Sequence, residues 1–167
     1  MKKLLGPLVS IFAGALTFLF LSLPYYVIKS KTVIGDGVSR SNAWEIMKDM
    51  NKDVDGSLMF YVTTIILIVV ASILVLFGLI YLLNNLKAIK SKANLKIVAD
   101  VLLIAFVVVV VLQLIALFTL CKAYSGNAFG LVDVATYPSV GAWLSVILAA
   151  LACLVSIFLT KPIKKRK

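Results

Sequence analysis

The sequence predicts an all-α membrane protein: an antiparallel four-transmembrane-helix bundle with a short amphipathic helix in its first outer loop. Three observations carry this expectation. Hydrophobic residues make up 62% of the 167 residues and the mean hydropathy is +1.09, whereas soluble domains hold about 45–50% apolar residues. The apolar residues gather in four long runs, and a helix needs only ~20 such residues to cross ~30 Å of hydrocarbon. The basic residues, in turn, gather at the ends and breaks of those runs rather than along them. The runs place helices at about 4–28, 57–83, 97–121 and 139–160. Outer loops follow at 29–56 and 122–138 and an inner loop at 84–96, all in a single membrane domain, 1–167.

Orientation comes from the break between the second and third runs, where Lys87, Lys90, Lys92 and Lys96 stand without an acid. Cytoplasmic loops retain Lys and Arg, so this turn is expected inside. Lys2 and Lys3 at one end, and Lys161, Lys164, Lys165, Arg166 and Lys167 at the other, fall on the same side. The predicted outer segments balance Lys29, Lys31, Arg40, Lys48, Lys52 and Lys122 against Asp36, Glu45, Asp49, Asp53, Asp55 and Asp133. The expected location is the cell membrane, multi-pass, with N- and C-termini cytoplasmic and the basic ends touching anionic headgroups at the inner face. The net charge of +10 does not indicate nucleic acid, because no basic stripe interleaved with exposed aromatics exists.

The first run begins like a signal peptide, but it is too long for an ordinary apolar region of ~7–15 residues, so an uncleaved helix is expected. Gly6, Ser10 and Gly14 recur every four residues and form a ridge that another helix can approach closely. Pro24-Tyr25-Tyr26 closes this helix at the outer interface. In the first outer loop, Asn42 and Glu45 have capping-box spacing and start a helix of about Asn42 to Asn51. Ala43, Ile46, Met47 and Met50 share its apolar face, with Trp44 at the edge. Asn51, Asp53, Asp55 and Gly56 match the first half of a calcium loop. The acid expected at position 12 is Val62 instead, and carboxylates there serve equally as helix caps.

The second run carries no charge, with Thr63 and Thr64 near its outer end. In the third run Asp100 is four residues from Lys96, the spacing of an ion pair across one helical turn, and Gln113 is the single strongly polar side chain deep in the helix. The fourth run carries Gly141, Ser145, Ala149 and Cys153 at four-residue spacing. This second small ridge is expected to face the first helix through Gly6, Ser10 and Gly14. Cys121 and Cys153 fall about 20 Å apart along the bilayer normal, too far for a disulfide.

Several chemistries are excluded. The chain has no histidine, which removes the commonest general base, the serine and cysteine triads and most metal sites. It has no glycine-rich phosphate loop and no paired acids in its apolar runs. No enzyme activity, cofactor or metal is expected.

Leu23-Pro24, Gly37-Val38-Ser39, Ala43-Trp44-Glu45-Ile46 and Gly141-Ala142-Trp143-Leu144 together resemble a loose group of small bacterial four-helix integral membrane proteins. That group usually has Gly-Trp where Ala43-Trp44 stands here. The resemblance implies a topology and brings no activity with it. Claudin-like proteins share the layout of two outer loops and a short inner turn, but their paired loop cysteines and Gly-Leu-Trp signature are absent.

The functional expectation is a non-catalytic integral membrane protein, an accessory or interaction subunit of a membrane assembly. Its candidate interaction surface is Trp44, Met47, Met50, Tyr137 and Trp143, and its partner is a membrane protein or a second copy of the chain. The alternative is a small oligomeric channel or transporter with Gln113, Thr63 and Thr64 lining a polar path.

Overall fold

The computed structural model describes residues 2–32, 35–49, 54, 56–88, 94–128 and 132–160. Helix α1 (Lys2–Leu21) is followed by strands β1 (Pro24–Thr32) and β2 (Gly35–Asn42) and the short helix α2 (Ala43–Asp49). Next come α3 (Ser57–Asn85) and α4 (Leu95–Ala123), strands β3 (Gly126–Ala128) and β4 (Val132–Pro138), and α5 (Val140–Thr160).

Among the described residues the fold is therefore mixed α/β, five helices with an antiparallel sheet, and the expected four-helix bundle is wrong. Among the described residues three helices, α1, α3 and α4, are long and apolar enough to cross a membrane, and the searched apolar stretch of α5, Val140–Ser156, is shorter. The error begins at Pro24. Proline cannot continue the helical ladder and biases the residue before it toward extended backbone. The helix stops at Leu21, and Tyr25 to Ile28, expected inside the first helix, belong to a strand instead.

The sheet runs β2-β1-β4-β3, with every neighbouring pair antiparallel. β1 is central because its β-branched and aromatic residues suit a ladder on both sides. Its partners are drawn from both segments expected to be outer loops. Tyr26 pairs with Ser41 and Pro138, and Lys31 pairs with Asp36 and Asp133. Between Pro24 and Tyr26 the register against β2 shifts, leaving Tyr25 as the extra residue of a β-bulge, a device that re-aims a side chain.

α2 starts with the expected capping box. The amide of Glu45 donates to Asn42 Oδ1 (2.9 Å) and that of Asn42 to Glu45 Oε2 (3.0 Å). Its Ala43 and Ile46 are buried in the core, so this helix covers its own fold with its apolar face. On the helical side, α1 packs most extensively against α3 and also against α5, while α4 packs against α3 and α5. The approach of α1 to α3 is close because glycines face it. A Cβ on Gly14 would come within 2.5 Å of the Ala71 carbonyl, and one on Gly78 within 3.1 Å of the Pro7 carbonyl. Where α3 begins, Gly56 has φ +82° and would set a Cβ 2.9 Å from the Leu120 amide of α4; glycine meets both demands.

Candidate functional site

Three polar groups carried by different helices, Thr64, Gln113 and Ser145, meet at one place under the sheet. The bulge sends the Tyr25 ring down into the helices, where it lies edge-on to Phe60 with centroids 6.0 Å apart. Its hydroxyl donates to Gln113 Oε1 on α4 (2.9 Å) and lies 3.3 Å from Ser145 Oγ on α5. Gln113 Nε2 donates to Thr64 Oγ1 on α3 (3.0 Å), and Thr64 passes its own proton to the Phe60 carbonyl (2.7 Å). Ser145 Oγ also lies 2.9 Å from the Gly141 carbonyl, so its one proton serves either that carbonyl or the Tyr25 oxygen. A phenol has one proton, so the shorter contact to Gln113 carries it. One strand and three helices are joined in this chain of hydrogen bonds, with Gln113 1% and Thr64 0% exposed. Burial pushes the Tyr25 phenol up to about 12, offset in part by its hydrogen bond with Ser145.

Gly141 makes room for that ring. A Cβ there would meet the Phe20 carbonyl at 2.6 Å and Tyr25 Cδ2 at 3.0 Å. Ser145 and Ala149 are buried below it. The predicted meeting of this ridge with Gly6, Ser10 and Gly14 is corrected: Gly14 is turned to Ala71 and Val75 of α3, and Gly6 to the Tyr81 ring of α3. Ser10 is buried and donates to the Gly6 carbonyl at 3.4 Å. α1 thus turns Gly6 and Gly14 to α3, while α5 packs against α1 with Gly141 at the Phe20 carbonyl.

The sheet has two unlike faces. Tyr26, Ile28, Ser39 and Ser41 look toward Glu45 and Ile46 of α2 and Tyr124 at the end of α4. The other face is open. Val27, Lys29 and Lys31 lie beside Arg40, Val38 and Asp36 on one flank and Tyr137, Ala135 and Asp133 on the other. Val38 is 61% and Tyr137 53% exposed.

The candidate surface residues are spread over several elements. Trp44 stands over the end of α1, its indole N–H donating to Ser22 Oγ (3.2 Å). Met47 packs against the core, Tyr137 belongs to the open sheet face, and Trp143 lies edge-on to Phe118 of α4, centroids 6.3 Å apart. Met50, Asn51, Asp53 and Asp55 lie outside the described residues. Asp100 does not pair with Lys96; it accepts a hydrogen bond from Ser156 of α5 at 2.6 Å. Cys121 and Cys153 are free thiols. Among the described residues no cluster of His, Cys, Asp or Glu is arranged to hold a metal ion.

The sheet and the role of Tyr25 are what sequence reasoning missed. The usable signal was the strand composition of Tyr25-Tyr26-Val27-Ile28 directly after a proline, and the alternation of Val132, Val134 and Thr136 in β4. No family model matches the sequence, and no curated protein matches it.

Proposed function

We propose that this chain is a non-catalytic membrane protein, an accessory or interaction subunit that holds a small sheet at the outer surface of the cell membrane for a protein partner. The carrying observation is the buried network of Tyr25, Gln113, Thr64 and Ser145. These polar groups satisfy one another and tie β1 to three helices, so the platform is rigid. A polar path through oligomers needs Gln113 and Thr64 turned to water, and both are sealed inside the protein.

Positive-inside bias supports the orientation: the lysine-rich turn and both termini on the cytoplasmic side, the sheet outside. Trp44, Tyr61, Phe118 and Trp143, all partly exposed near the sheet end of the helices, suit the aromatic belt of an outer interface. Val38, on the edge strand and open face, is the anchor for the partner.

Affinity purification in mild detergent with mass spectrometry tests this reading. A membrane protein should co-purify in fixed ratio and be lost from Val38→Glu. Recovery of the chain alone, or retention of the same partner by Val38→Glu, contradicts it.

A further inference from the structure

The half of the open sheet face nearest the helices is a groove of about 610 Å³ whose lining includes Pro24, Val27, Lys29, Arg40, Tyr137 and Val140. Its charge follows from the strand register. On the rung farthest from the helices, Lys31 stands between Asp36 and Asp133. On the next rung inward Lys29 stands between Val38 and Ala135, and on the one after that Val27 stands between Arg40 and Tyr137. The two inner rungs hold two cations and no carboxylate, and among the described residues neither Lys29 nor Arg40 has an ion-pair partner. The two are diagonal neighbours on one face, about 7–8 Å apart with their Cβ atoms somewhat closer, a span that their long side chains can close around a single tetrahedral anion.

We propose that this groove binds the headgroup phosphate of an anionic phospholipid in the outer leaflet. The guanidinium of Arg40 offers paired N–H donors that match two phosphate oxygens, and the Lys29 ammonium supplies a point charge beside it. A lipid, rather than free phosphate, fits because the groove does not end in water on its inner side. Val140 lines it, and Val140, Trp143, Ile147 and Leu151, all exposed, continue down one side of α5 at helical spacing. They form an apolar track for an acyl chain below the phosphate. The inference rests on the reading above that the sheet stands at a membrane surface.

Trp143 lies on that track and reports occupancy by fluorescence once Trp44→Phe has removed the other indole. The full chain is reconstituted in phosphatidylcholine vesicles, and phosphatidylglycerol with brominated chains is compared with brominated phosphatidylcholine as quencher. Brominated phosphatidylglycerol should be preferred at Trp143 by roughly fivefold or more. Lys29→Gln and Arg40→Gln should each reduce the preference by up to roughly fivefold, the effect of one basic residue near a charged surface. Quenching by brominated phosphatidylcholine should persist in both variants and report an inserted fold, and Lys31→Gln should keep the full preference. Equal quenching by the two lipids in the parent overturns the headgroup site and leaves the membrane reading standing, as does a preference unaltered in the Lys29→Gln, Arg40→Gln double variant. Loss of the preference on adding inorganic phosphate overturns the lipid as ligand. Absence of quenching by either lipid overturns the membrane reading and the site together.

Discussion

The hydroxyl of Tyr25 donates a 2.9 Å hydrogen bond to Gln113, joining the bulge of the central strand to a helix 88 residues further along the chain. Both groups are buried, so neither has water as an alternative partner. Tyr25→Phe leaves Gln113 Oε1 unpaired and should cost about 1–2 kcal/mol. Gln113→Leu leaves the phenol only its longer contact to Ser145 Oγ (3.3 Å) and should also destabilise the fold. In a double-mutant cycle read by thermal unfolding in detergent, the pair should show coupling of about 0.5–2 kcal/mol. Additive losses would mean that the two groups act independently.

The phenol also makes the fold sensitive to alkali. Its value of about 12 in the folded chain lies above the ~10 of an unfolded tyrosine. Below pH ~10 both states keep the proton and the contribution is complete. Between about pH 10 and 12 only the unfolded state ionises, so stability falls as pH rises. The stability difference between the parent and Tyr25→Phe should therefore narrow across that window. Parallel stability curves for the two proteins from pH 9 to 12 would refute the assignment.

Close helix approach supplies a third test. Gly14→Ala drives a methyl toward the Ala71 carbonyl, and Gly141→Ala drives one between the Phe20 carbonyl and the Tyr25 ring. Each should lower stability by about 1–3 kcal/mol, as overfilling does in close-packed interiors. Gly141→Ala should also weaken the Tyr25–Gln113 coupling, because the ring must shift. Gly126→Ala, with nothing within 4 Å of the added carbon, should be nearly silent in the same thermal assay. Equal effects at all three positions would show that packing is not the cause.

The helical part of the fold was legible in the sequence because long apolar runs carry their own signal, whereas the sheet was not. Tyr25 to Ile28 is apolar and continuous with α1, and a short buried strand cannot be told from a helix end by periodicity. β2, with Gly35, Asp36, Gly37 and Ser39, has poor strand propensity and is held by the partner beside it rather than by its own preference. Ser41 pairs with Tyr26 of β1 across the bulge, a relationship that no local pattern encodes. Of the buried network, Gln113 and Thr64 stood out as polar residues in apolar runs. Tyr25 read as an interfacial aromatic, because only the bulge turns it inward. The small ridges were visible, but spacing alone does not say which helix each one faces: Gly6 and Gly14 meet α3, and Gly141 meets the Phe20 carbonyl of α1.

Cysteine labelling in intact cells tests whether the sheet is held outside the membrane with the lysine-rich turn inside. In a background with Cys121→Ala and Cys153→Ala, Lys31→Cys on the exposed end of β1 and Lys87→Cys at the turn after α3 are each treated with a membrane-impermeant maleimide. Lys31→Cys should react in intact cells, and Lys87→Cys only after permeabilisation. The reverse pattern, or equal reaction of both positions in intact cells, would contradict that arrangement.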